Sequence, residues 1–201
     1  ESYRLEGNYS IFITVSNSYL LSGELVTKLT GRKIEIEMLP LNFYEYQDMK
    51  KFMGILAKDS IYDEFEQYIR EGGFPGALRY EKEEDRKIYV TNILDDIFVK
   101  DIKANNKIKN NETFKNIQRY VINNFGAMIS VSSIQNYYES ININIDVRTI
   151  EKYIEILSNA KIIYPCDTFD IKSKTTLNGE KKYYLADLSI YFLYNTDNRI
   201  N

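Results

Sequence analysis

The chain has 201 residues, 44% hydrophobic and 27% charged, with a formal net charge of −3, no histidine and one cysteine. The absence of histidine excludes imidazole triads, histidine acid–base chemistry and imidazole zinc sites. The single thiol, Cys166, excludes an internal disulfide and a cysteine metal cluster. No apolar run approaches a membrane span and the first residues carry no leader pattern, so a cytoplasmic location is expected. The first residue is Glu rather than Met, which reads as a segment of a longer protein. The charge is unevenly spread: residues 1–99 sum to −6 and residues 100–201 to +3, pointing the second half toward an anionic partner.

In chain order, residues 9–15 form a short β-rich apolar run that reads as a buried parallel strand. Ser16-Asn17-Ser18 ends it, and Leu21, Leu25 and Leu29 then recur every fourth residue as a helix closed at Gly31. Residues 33–38 alternate strictly, as a strand with one wet face, up to Pro40. Helices follow over residues 43–56 and 61–69, the second stopped by Gly72-Gly73-Phe74-Pro75-Gly76, and a third begins in the acidic stretch 81–85. The polar stretch 103–111 reads as a linker between two lobes.

Beyond it, Phe114, Ile117, Val121 and Phe125 mark one helix, Val131 and Ile134 a second, and Val147, Ile150, Ile154 and Leu157 a third capped by Asp146. Residues 141–146 alternate like a strand but lie where a turn belongs, and are taken as a loop. Residues 162–172 and 181–185 form a β pair, with Asn178-Gly179 as the hairpin signal in the connection. Three helices and a hairpin make the plan of a winged helix-turn-helix.

No glycine is followed five residues on by Gly-Lys-Ser/Thr, so the chain has no phosphate-binding loop and is not expected to hydrolyse nucleotide alone. Residues 11–18, 20–25, Leu29-Thr30-Gly31-Arg32 and 35–41 together resemble the sensor-strand half of a prokaryotic AAA-type ATPase family. Further similar elements are Tyr68-Ile69, Gly72-Gly73-Phe74-Pro75, Val99-Lys100-Asp101-Ile102 and Lys181-Lys182-Tyr183-Tyr184-Leu185 with Ala186-Asp187-Leu188. The resemblance implies a nucleotide-binding domain joined to a C-terminal winged-helix domain of unassigned function, often with a nuclease-like tail. The phosphate loop and magnesium-binding strand would precede residue 1, and the tail would follow residue 201.

One departure is Val15, where the family usually has glycine. Carried over, Ser16 and Asn17 would be the nucleotide sensor and Arg32 would act on a neighbouring subunit's phosphate. Ser16 serves equally as a helix cap and Arg32 as a helix C-terminal cation. The chain itself would hold no cofactor, with ATP and magnesium implied for the parent, which would also supply any oligomerisation.

For nucleic acid, the third helix of the winged plan offers Arg148, Thr149 and Lys152, and the wing offers Lys172, Lys174, Lys181 and Lys182. Glu151 and Glu155 on the same helix oppose phosphate and favour the rival reading, a protein-docking adapter with no nucleic-acid contact. Asp167 or Asp170 with Glu180-Lys181-Lys182 also has the outline of a metal-dependent nuclease site.

The expected fold is thus α/β to α+β and mostly helical. Residues 1–40 would be a remnant of an AAA-type sheet, 41–111 a helical connector and 112–201 a winged helix-turn-helix lobe. The expected function is a coupling module contacting double-stranded DNA or a protein partner, with no membrane contact and no catalytic residue of its own.

Overall fold

The structure is a computed structural model that describes residues 7–14, 34–103, 106 and 108–195. Helix α1 (Phe43–Phe52) begins with a capping box, in which Asn42 Oδ1 accepts from the Tyr44 and Glu45 amides and the Glu45 carboxylate accepts from the Asn42 amide. Helix α2 (Ile61–Glu71) is capped by Ser60 and stops at Gly72, whose φ of 77° suits a residue without a side chain. A short 3-10 helix (Pro75–Arg79) leads to α3 (Glu83–Asp96), which opens on three acidic residues and runs on as a π-helical turn (Ile97–Lys103). The helical path therefore continues up to Lys103, the first residue of the stretch expected to be a linker.

The second half has α4 (Asn111–Asn123), β1 (Met128–Ile129), α5 (Val131–Ser140), α6 (Val147–Asn159), β2 (Ile163–Asp170), β3 (Thr175–Leu185) and α7 (Ser189–Tyr194). The three strands form one antiparallel sheet in the order β1-β3-β2. The architecture is mostly helical α+β.

Apolar residues at helical spacing bury Phe114, Ile117 and Val121 of α4, Ile134 of α5, and Ile150 and Leu157 of α6 against Ile163 of β2 and Ile190 of α7. Leu94 of α3 and Ile102 of its π continuation belong to the same core, so apolar packing runs across residue 111. Helix α7 packs on α2, α3 and α4, joining the C-terminal helix to the middle of the chain.

Three expectations are corrected. Among the described residues, 9–14 and 34–38 form no ladder, and their apolar side chains are largely exposed, with Phe12 88% and Ile34 92% exposed. An apolar run or strict alternation makes a segment fit for a sheet, but a strand needs a backbone ladder partner, and neither segment has one among the described residues. The hairpin reverses at residues 171–174 rather than at Asn178-Gly179, which lies within β3. Asp170 makes that turn, its carboxylate accepting from the Lys172 and Ser173 amides and from Ser173 Oγ. The register jumps from Asp167↔Lys181 to Thr168↔Leu177, so β3 carries surplus residues there and Gly179, at φ 134°, sits in the irregularity. Residues 141–146 are a loop, as the sequence suggests, with Asn142 at φ 60° and Asp146 capping α6.

Candidate nucleic-acid interface and the junction behind it

Asp146 fixes the start of α6 by accepting the Arg148 amide at 2.9 Å, while Ile150, Tyr153, Ile154 and Leu157 anchor the inward face. Arg148, Glu151, Lys152 and Glu155 therefore share the exposed face at three- and four-residue spacing, with Thr149 half-buried beside them. Two cations and two anions interleave on that face.

The wing is more one-sided at its tip. Donation from Ser173 Oγ and from the Lys172 and Ser173 amides holds the Asp170 carboxyl below the usual carboxylate range and uses its acceptor capacity within the turn. Lys172 and Lys174 project from this turn into solvent, Lys174 at φ 53°, next to Ile171, which is 81% exposed.

The two strand lysines are placed differently. Lys181 Nζ lies 2.7 Å from the Asp167 carboxylate, which raises the lysine's pKa and compensates its charge. Lys182 pairs in register with Met128 and Cys166, on the sheet face opposite to buried Ile129 and Tyr183. It is half-buried there and does not share the wing tip with Lys172 and Lys174.

The nuclease outline does not assemble, because Asp167 is spent on Lys181 and Asp170 on its own turn. Among the described residues no three His, Cys, Asp or Glu side chains converge to hold a metal ion. Ser16, Asn17 and Arg32 lie outside the described residues.

The first helices hold polar chemistry that sequence reading missed. Lys50 and Glu64 are 2% and 1% exposed and form an ion pair at 2.6 Å, with the Lys58 amide donating to the second Glu64 oxygen. Beside them, Glu71 accepts from Tyr46 Oη at 3.0 Å and Gln67 Nε2 at 2.7 Å and pairs with Arg86 at 2.7 Å. Burial, with Glu71 as hydrogen-bond acceptor, pushes the Tyr46 phenol far up.

Asp187, 5% exposed, accepts from the Gly73 amide at 2.6 Å and from the Ser189 amide and hydroxyl. Burial pushes its carboxyl up, against the opposing pull of those donors. A Cβ on Gly72 would overlap the Asp187 carboxylate, and one on Gly73 would overlap the Leu41 carbonyl oxygen. The Gly72-Gly73 pair read as a helix stop is thus also a docking surface for two distant segments. Only the glycine run hinted at it; the spacing of Lys50 and Glu64 on their helices is that of ordinary wet-face charges.

Comparison with known proteins places these features. A family model described as "Domain of unknown function (DUF8612)" matches residues 62–197, more than half of the chain. A model described as "AAA domain" matches residues 1–47. An uncharacterised protein of Haemophilus influenzae is 34% identical over 185 residues, covering 92% of this chain and 45% of the relative. An uncharacterised protein of Methanocaldococcus jannaschii is 33% identical over 187 residues, covering 90% and 42%. The chain spans less than half the length of these relatives. No solved structure matches.

Proposed function

We propose that this chain, which belongs to the family described as Domain of unknown function (DUF8612), is the coupling part of an AAA-type ATPase and contacts double-stranded DNA through a winged-helix lobe. The AAA-domain match over residues 1–47 supports the first half of the reading. One observation carries the second. The order α4-β1-α5-α6-β2-β3, with its sheet in the order β1-β3-β2, presents α6 and a turn bearing exposed Lys172 and Lys174.

In this reading Arg148, Thr149 and Lys152 face the groove and Lys172 and Lys174 meet the backbone. Lys181 and Lys182 are secondary, one compensated by Asp167 and the other on the far sheet face. ATP and magnesium belong to the whole parent protein, as does any oligomer, and the location is cytoplasmic. Among the described residues no helix is long and apolar enough to cross a membrane.

The second reading, a protein-docking adapter, is favoured by Glu151 and Glu155 on the exposed face of α6, which offset Arg148 and Lys152. Alanine replacements separate the two. In a titration of a short duplex, Lys172→Ala with Lys174→Ala is expected to lower the slope of log affinity against log salt by about 2, since each lysine–phosphate contact releases about one counterion. Lys181→Ala is expected to leave the slope near that of the native chain. An unchanged slope in the double variant speaks for the adapter.

A further inference from the structure

Residues 34–42 lie within the AAA-matching part of the chain, and two of their contacts with the described residues differ in character. The first is half-buried and rests on the buried Gly73–Asp187 bond. The Leu41 amide donates to the Gly73 carbonyl at 2.8 Å, Tyr68 Oη donates to the Leu41 carbonyl at 2.9 Å, and Gly73 in turn donates to buried Asp187. The second is exposed. Glu37 Oε1 accepts from Tyr164 Oη at 2.8 Å and lies 3.0 Å from Lys161 Nζ. The Glu37 and Lys161 side chains are 48% and 43% exposed.

Ile34, Ile36 and Met38 are 92%, 75% and 85% exposed. A cleft of about 390 Å³ lies against residues 39–42, walled on its other side by Tyr164, Tyr184, Leu185 and Leu188. An exposed ion pair biases an equilibrium by about fivefold at most and is screened by salt, whereas a buried carboxylate with three donors stays engaged.

The position of the exposed contact matters as much as its weakness. Lys161, at φ 57°, directly follows the cap of α6, and Tyr164 is the second residue of β2. Glu37 therefore grips the corner joining the helix and the wing that would meet DNA.

We propose that residues 34–42 are a hinged strap, pivoting at Leu41–Gly73–Asp187 and latched by Glu37 on Lys161 and Tyr164, through which the AAA-matching segment biases the set of α6 against the wing. Its consequence for DNA rests on the winged-helix reading, while the strap itself does not.

The test uses the 201-residue chain with spin labels on native Cys166, which is exposed on β2, and on an introduced Ile36→Cys. Distance distributions and affinity for a 20-base-pair duplex are read in parallel. Glu37→Gln and Tyr164→Phe should each convert a single short distance into a mixture with a longer one, and salt should do the same to the native chain. Tyr164→Phe leaves net charge unchanged, so a shared change of about threefold in duplex affinity reports the latch rather than lost repulsion. Unaltered distances in both variants would overturn the strap. Opened distances with duplex affinity equal to that of the native chain would overturn the coupling. Opened distances with no duplex binding by any form would support the strap and overturn the DNA reading.

Discussion

Replacing Lys50 with Met is expected to lower the unfolding free energy by about 3–5 kcal/mol, measured by chemical denaturation of the 201-residue chain. The substitution leaves the Glu64 carboxylate 1% exposed with the Lys58 amide as its remaining donor. A buried charge without its counter-ion bears nearly the full cost of desolvation, which greatly exceeds the net worth of the pair. The double variant Lys50→Met/Glu64→Leu is therefore expected to recover most of the loss, because it removes both charges and keeps apolar volume. It still forfeits the Lys58 hydrogen bond, about 1 kcal/mol. A loss below about 1 kcal/mol in Lys50→Met would show that water reaches the pair.

Asp187→Ala is expected to cost about 2–4 kcal/mol: the Gly73 and Ser189 donors would be left without their acceptor, at about 1.5–3 kcal/mol each, and relief from burying a carboxylate offsets part of that loss. Gly73→Ala attacks the same junction from the other side, because its Cβ would overlap the Leu41 carbonyl oxygen, which is backbone and cannot rotate away. Both disrupt one unit, so the double variant should cost clearly less than the sum of the singles. Additive costs would mean that Asp187 and Gly73 act independently despite their 2.6 Å contact.

The sequence made the strongly amphipathic elements legible. Helices α2, α4 and α6 lie where their apolar spacing puts them, because a helix satisfies its own backbone and needs only a face to bury. Strands were less legible, since a strand depends on partners that local sequence does not name. Residues 9–14 are an apolar β-rich run and residues 34–38 alternate, yet neither has a neighbouring ladder among the described residues. The hairpin was displaced for a related reason. Asn178-Gly179 is the stronger turn signal in isolation, yet Asp170 closes residues 171–174 and leaves that dipeptide inside β3.

Of the candidate interface, the exposed positions of Arg148, Lys152, Lys172 and Lys174 follow from helix phase and loop composition. The neutralisation of Lys181 could not be read, because it depends on the cross-strand register with Asp167. The junction was the least visible feature of all. Gly73 and Asp187 are separated by 114 residues, and no periodicity links a glycine after one helix to an aspartate before another. Lys50 and Glu64 illustrate the same gap, since charges on helices ordinarily face water and only tertiary packing encloses this pair.

The central claim, that the lobe built on α6 and the wing meets double-stranded DNA, is tested most directly by titrating the 201-residue chain with a short duplex at several salt concentrations. Micromolar or tighter binding at low salt that weakens steeply as salt rises is expected, with Lys172 and Lys174 contributing to the slope through the backbone. No binding at low salt would contradict it and leave a protein partner as the occupant of this face.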